Sequence, residues 1–211
     1  MAVKVSLRAN RLACERDDRW LFRSLDLRVE DGHILRIEGA NGSGKTTLLK
    51  LLTGQLPPTE GRIEWHGEPL AASREAFLSQ LLYVGHAPGV SAALTAQENL
   101  AWAAAMAGVR APDLDLERAL EAVGLAGFED IPARQLSAGQ QRRVALARLE
   151  LIPRPLWILD EPFTAIDREG VAWLEQRLLA HGDAGGAVVM TTHHTFHANG
   201  RVDSLLLGEA A

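Results

Sequence analysis

Eight consecutive residues, Gly39-Ala40-Asn41-Gly42-Ser43-Gly44-Lys45-Thr46, have the types and spacing that hold a polyphosphate. They fit G-x-x-x-x-G-K-[ST], with a short apolar strand before them and an apolar helix, Leu48-Leu49-Lys50-Leu51-Leu52, after them. The glycines let backbone N–H groups converge on phosphate oxygens, and the start of the helix adds partial positive charge. Lys45 is expected to reach the β- and γ-phosphates and the Thr46 hydroxyl to ligate Mg²⁺, with Thr47 closing the nucleotide-binding set. Such a loop binds a nucleoside triphosphate without choosing a reaction.

The second half of the chain supplies the choice. Leu156-Trp157-Ile158-Leu159-Asp160-Glu161 is an apolar run ending in two acids, followed by Pro162. A solvated acidic turn has no need to terminate a wholly apolar strand. A buried strand instead delivers Asp160 to its C-terminal edge as an anion for Mg²⁺, and Glu161 on the turn is placed to orient or deprotonate an attacking water. Between these two sites lies Leu136-Ser137-Ala138-Gly139-Gln140-Gln141-Arg142-Arg143, in which Ser137 takes an N-cap position. The small residues at 138 and 139 expose N–H groups to an anion.

This stretch resembles the LSGGQ signature of ABC-type ATPases, and with the phosphate loop and the acidic pair in this order the resemblance covers essentially the whole chain. It implies that the anion is the γ-phosphate of an ATP held by a second protomer. Leu136, Ser137, Ala138, Gly139 and Gln140 then act in trans in a homodimer that sandwiches two ATP molecules. Ala138 stands where the family has glycine, and because alanine fits helical dihedrals the site is expected to survive. Thr164-Ala165-Ile166-Asp167 resembles the D-loop, which puts Asp167 at the dimer interface, and Thr191-Thr192-His193 resembles the switch histidine. The implied catalytic set is Glu161, His193 and Lys45, with Thr46 and Asp160 for Mg²⁺. His193, His194 and His197 also admit a metal-ligand reading if that stretch is helical, but a strand end suits it better.

Two positions depart from the family pattern. His86 takes the place of the Q-loop glutamine, and a neutral imidazole still presents one donor and one acceptor. Near the N-terminus, Arg16 stands about where an aromatic residue stacks on adenine, with Trp20 the nearest ring. These departures, with the Cys14 segment, resemble the branch of the family that serves cytochrome c maturation. That branch implies integral membrane subunits resembling CcmB, with CcmC and CcmD. It also implies export of haem or release of a haem-loaded chaperone, and a peripheral position on the cytoplasmic face of the bacterial inner membrane. The alternatives are the ATPase of another transporter, for lipoproteins, metals or small molecules, and a soluble ABC ATPase.

The elements that must position these residues alternate between strands and helices. Residues 1–37 read as extended segments with hairpin character, 61–70 as a hairpin, and Leu81-Leu82-Tyr83-Val84 as a strand buried on both faces. From about Thr95 to Leu151 the pattern is helical, interrupted by Gly108, Pro112, Gly124 and Pro132. Strands at 156–159 and 187–190 then flank a helix near 167–180. The expected fold is an α/β P-loop NTPase of the ABC type. It has a mainly parallel core sheet, an N-terminal antiparallel β subdomain and an inserted helical lobe. One domain is expected, with core residues 1–94 and 152–211 and a lobe of about 95–151.

Composition fits this reading. The 211 residues are 47% hydrophobic and 23% charged, which suits a sizeable core, and a net charge of −5 argues against a general nucleic-acid binder. The single cysteine forms no internal disulfide. The apolar stretch 100–109 is well short of the roughly 20 residues a bilayer requires, and Met1-Ala2-Val3-Lys4 opens no secretory signal.

Overall fold

The computed structural model describes residues 4–195 and 202–208. In chain order the strands are β1 (Ser6–Arg16), β2 (Arg19–Glu30), β3 (Ile34–Gly39), β4 (Glu60–Trp65), β5 (Glu68–Pro69), β6 (Leu81–Val84), β7 (Leu156–Asp160), β8 (Ala187–Thr191) and β9 (Val202–Leu207). The helices are α1 (Lys45–Leu52), α2 (Arg74–Leu78), α3 (Ala96–Met106), α4 (Asp113–Ala122), α5 (Ala138–Leu151) and α6 (Arg168–Asp183).

The chain forms two compact units. One takes the chain up to Tyr83, Arg154–Glu161 and the chain from Leu179 on; the other takes Val84–Pro153 and Pro162–Leu178. The first unit holds both sheets but for Val84, the last residue of β6. In the antiparallel sheet, of order β2-β1-β4-β5, β1 and β2 join through Asp17 and Asp18, both in the left-handed region that short polar side chains tolerate. Gly61 of β4 lies so close to β1 that a Cβ there would meet the Arg11 carbonyl oxygen at 2.3 Å. Only glycine fits that crossing.

The second sheet has the order β6-β7-β8-β3-β9, and β7 with β8, β8 with β3 and β3 with β9 run parallel. Their register sets Asp160 beside Thr191, Thr191 beside Ile37 and Gly39 beside Leu207, so the C-terminal ends of four strands share one edge. That is where open parallel sheets bind ligands. Leu48, Leu49, Leu51 and Leu52 of α1 are fully buried in the same core as Ile37, Ile158 and Val189. Each such side chain contributes on the order of 1.5–3 kcal/mol, which fixes α1 under the loop that precedes it.

β6 departs from expectation. It is an edge strand among the described residues, with Leu82 and Val84 buried but Leu81 and Tyr83 only half-buried, because the margin of a sheet is less completely covered than its centre. Strand β9 and the short helix α2 go beyond the elements read from the sequence.

The second unit packs α3, α4 and α5 around Leu100, Leu116, Leu120, Val123 and Val144, with Trp173 of α6 against them. Both α3 and α5 open with reciprocal caps. Thr95 and Glu98 exchange bonds of 3.1 and 2.8 Å, and Ser137 and Gln140 exchange bonds of 3.2 and 2.9 Å.

Candidate functional site

The phosphate-type loop is built by close approach. β3 ends at Gly39, where a Cβ would meet Ser43 Oγ at 2.5 Å and the Leu207 carbonyl oxygen at 2.6 Å. Ala40, Asn41 and Gly42 follow on the exposed rim or near it, with Gly42 in the left-handed region. α1 starts from Gly44, also left-handed, with no side-chain cap and no acidic residue in its first turn. The helix start is thereby left to an external anion. Ser43 Oγ is buried with no hydrogen-bond partner among the described residues, a donor waiting in the wall of the loop. Lys45 crosses the mouth: its Nζ donates to Gly39 O at 2.7 Å and Ala40 O at 3.3 Å, and lies 3.3 Å from His193 Nε2.

The ends of β7 and β8 complete this group. Asp160 is almost wholly buried, and its Oδ1 accepts from Thr191 Oγ1 at 2.6 Å and Thr46 Oγ1 at 3.3 Å. A hydroxyl and a buried carboxylate are hard oxygen donors of the kind Mg²⁺ selects. Glu161 adopts a left-handed φ of 48°, a conformation worth about 1–3 kcal/mol of strain for a non-glycine residue. The turn is held by its own N–H, which donates to both Thr191 Oγ1 at 2.9 Å and Thr191 O at 3.1 Å. It aims the carboxylate so that Oε1 stands 3.7 Å from His193 Nε2. The Lys45 ammonium can only donate, so Nε2 accepts from it when the ring is neutral with its proton on Nδ1; protonated, the ring would pair with Glu161 instead. Thr47 sits half-buried in the first turn of α1. The structure thus brings Lys45, Thr46, Asp160, Glu161 and His193 into one cluster within the first unit. It adds Thr191, which sequence reasoning missed although a Thr-Thr pair ending an apolar strand was a usable signal.

The second unit gathers the other set. Leu136 is buried, Ser137 caps α5 through its hydroxyl oxygen with its proton left to donate, and Ala138 is exposed in the first turn. Gly139 meets a different constraint: a Cβ there would lie 2.4 Å from the Ala165 carbonyl oxygen. This explains why alanine is accommodated at 138 but glycine stands at 139. Asp167 accepts from the Gly170 N–H at 2.9 Å and forms an ion pair with Arg143, whose Nη1 also donates to Val123 O at 2.8 Å. The Gly170 N–H above all, with Arg143 beside it, holds the Asp167 carboxyl below the usual carboxylate range against a smaller opposing effect of burial. His86 is exposed on the loop after β6.

Arg16 is exposed at the end of the β1–β2 hairpin. Its guanidinium lies near Cys14, where burial pushes the thiol up and Arg16 draws it partly back. Trp20 faces Glu15 across the hairpin and carries the Arg23 guanidinium 3.9 Å from its ring centroid. The next residue, Leu21, borders Gly44, so β2 runs past the phosphate-type loop. His197 lies outside the described residues, and among those described no three His, Cys, Asp or Glu side chains gather as a metal cluster.

A protein-family model described as "ABC transporter" matches residues 22–164. A cytochrome c biogenesis ATP-binding export protein CcmA from Pseudomonas putida is 58% identical over 189 residues, 90% of each chain. The protein of that name from Hahella chejuensis is 53% identical over 206 residues, 96% of this chain and 95% of its own, and that from Salmonella typhi is 54% identical over 187 residues, 89% of each. Among solved structures, an ATP-binding subunit of an ABC transporter superposes with a TM-score of 0.85 at 24% identity, covering 97% of this chain and 86% of that one. A dimeric ATP-binding cassette in a post-hydrolysis state, bound to ADP and Pi, gives 0.77 at 23% identity over 89% of this chain and 88% of its own. Both structural likenesses speak to the fold.

Proposed function

The chain belongs to the ABC transporter family, and from that premise we propose that it is the ATP-hydrolysing subunit of a membrane export complex for cytochrome c biogenesis. The observation that carries the catalytic part is the gathering of Lys45, Thr46, Asp160, Glu161 and His193 at one sheet edge, all linked within 3.7 Å. The transport part is supported by relatives of that name at 53–58% identity over nearly the full chain.

ATP is the substrate. Gly39, Ala40, Asn41, Gly42, Ser43 and Gly44 wrap its phosphates with backbone N–H groups, and Lys45 leaves its carbonyl contacts to hold the β- and γ-phosphates. Thr46 and Asp160 are the residues that would hold Mg²⁺, which when bound neutralises charge between the β- and γ-phosphates. Glu161 accepts a proton from the water that attacks the γ-phosphorus, and the bond to the β-phosphate oxygen breaks to leave ADP and phosphate. His193 steadies the γ-phosphate, with Thr191 fixing both Asp160 and the Glu161 turn. Ser137, Ala138 and Gly139 of a second copy close over the same ATP, and Asp167 sits at that interface. Arg16 or Trp20 stacks on the base, and His86 serves in place of the Q-loop glutamine.

No helix among the described residues is long and apolar enough to cross a membrane. As its relatives are named ATP-binding export proteins, the complex includes integral membrane subunits, resembling CcmB and accompanied by CcmC and CcmD, with this chain peripheral on the cytoplasmic face. They dock where the loop of residues 86–90 meets the helical run 94–109. On that run α3 exposes Trp102 (59%) and Met106 (70%), one turn apart. The cargo is haem, or the work is release of a haem-loaded chaperone.

Glu161→Gln tests the mechanism: it removes the base and retains the binding groups, so the variant is expected to elute as a dimer at saturating ATP and as a monomer without it. A monomer at saturating ATP would overturn the sandwich. Co-purification from detergent-solubilised membranes, with identification of the captured subunits, tests the transport assignment.

A further inference from the structure

Two arginines of α5 hold the backbone of the loop that follows β6. Arg142 is buried (4% exposed), and its Nη1 donates to Gly85 O at 2.7 Å and to His86 O at 3.4 Å. Arg148 donates through Nη2 to Pro88 O at 2.9 Å, while its Nε holds Ala145 O of its own helix at 2.8 Å. The far end of the same segment is held from α3. Buried Asn99 accepts from Ser91 N at 2.7 Å and donates to the carbonyls of Ser91, Leu94 and Thr95 at 3.0, 3.2 and 2.9 Å. The segment between β6 and α3 is thus held by these side chains together with backbone bonds from Ala133 N to Leu94 O at 2.9 Å and from Arg134 N to Ala92 O at 3.1 Å, and all of these residues lie in one compact unit.

A carbonyl needs only a neutral donor, yet two cations are placed here side by side at a cost. Burial, and then the neighbouring Arg142, bring Arg148 down to about 10. It stays charged at neutral pH. Charged donors make bonds about twice as strong as neutral ones, and the planar fork spans two acceptors, which suits a contact that must bear load rather than merely fill space. The helix they sit on is capped by Ser137 and begins with Ala138 and Gly139.

Resting on the function proposed above, we infer that Arg142 and Arg148 are positioning residues that join the 85–88 loop and α5 into one mechanical piece. A membrane subunit pressing on that loop then sets how Ser137, Ala138 and Gly139 meet the ATP held by the second protomer. The loop need not touch nucleotide to control it.

The test uses the full chain carrying Glu161→Gln. Arg142→Met and Arg148→Met are each compared with the parent in binding of a fluorescent ATP analogue to the dilute monomer and in the ATP concentration that gives half-maximal dimer. Analogue affinity is expected to stay within about twofold, whereas the dimerisation midpoint rises about tenfold, a normal size for coupling between two sites. Arg148→Lys, which keeps a charged donor for Pro88 but loses the second bond, is expected to fall between, about two- to threefold above the parent. Hydrogen exchange is expected to quicken together at 85–91 and 137–141 in the Met variants. An unchanged midpoint, or faster exchange confined to 85–91, overturns the inference. If a Met variant does not fold, the Lys variant decides, and an unchanged midpoint there overturns it as well. A Glu161→Gln parent that stays monomeric with ATP refutes the proposed sandwich instead. In that case the exchange at 137–141 still decides whether loop and helix move together.

Discussion

Gly139→Ala separates two reasons for a glycine at the start of α5. In an ordinary helix the change stabilises by about 0.4–1 kcal/mol, because the unfolded chain loses freedom. Here the new Cβ would lie 2.4 Å from the Ala165 carbonyl oxygen, inside the 3.0 Å that real Cβ contacts respect, so the helix and the Ala165 turn must part by at least several tenths of an ångström. Ala165 is itself in the left-handed region with φ 64°, and the following residue that could relax, Asp167, is tied to Arg143 and to the Gly170 N–H. Overpacking of this kind costs about 1–3 kcal/mol, so the net expectation is a loss of about 1–2 kcal/mol. For a chain of this size that lowers Tm by about 2–8 °C. Ala138→Gly, one residue away and free of the contact, is expected to lose no more than about 1 kcal/mol, the helix-propensity difference. The assays are thermal unfolding by circular dichroism and, in the Glu161→Gln background, the ATP concentration at half-maximal dimer. That concentration should rise for Gly139→Ala and stay near the parent for Ala138→Gly. A Gly139→Ala chain that gains stability and dimerises like its parent would refute the reasoning, since it would mean that the Ala165 turn does not constrain the helix start.

Thr191→Val removes the hydroxyl that donates to buried Asp160 and accepts from the Glu161 N–H. It is expected to cost about 1–3 kcal/mol in urea unfolding, with Thr191→Ser recovering most of it. Hydrolysis by the assembled complex should fall more in kcat than in KM, because the Glu161 turn is loosened while the loop stays intact. Asp167 has its folded pKa depressed, so its contribution to stability is present above the ordinary carboxylate range and is lost as pH falls through the folded value. Wild type should therefore be more stable than Asp167→Asn at neutral pH. The two should converge on acidification, a course that equilibrium unfolding at several pH values reads directly.

What the sequence made legible was local and chemical. The loop from Gly39 to Thr46 and the acids ending β7 each carry their meaning in contiguous residues, and so does the Ser137 cap, whose partner Gln140 is three residues on. What it hid depends on distant neighbours. Arg142, Arg143 and Arg148 have no partner nearby in the sequence that would mark their role, because the carbonyls of 85, 86, 88 and 123 are brought to them only by the fold. The reason for Gly139 is a carbonyl 26 residues later, visible only once the chain at Ala165 turns back. β6 read as a strand buried on both faces because its composition is apolar, but its place at the sheet margin is not written in composition. The left-handed turn at Glu161 is likewise held by the bonds its N–H donates to Thr191 and not by any local glycine.

The strand order also sets a schedule for synthesis. β3 carries the phosphate-type loop at its end, yet the two strands it bonds to, β8 and β9, lie later in the chain than every helix described. A ribosome therefore releases the loop early and its supports late. Until β8 emerges the strand beneath the loop has both edges exposed, and until β9 emerges it has one, a condition in which partly made chains are prone to aggregate. The edge that carries the phosphate-type loop is thus among the first parts of the protein to be made and among the last to be finished.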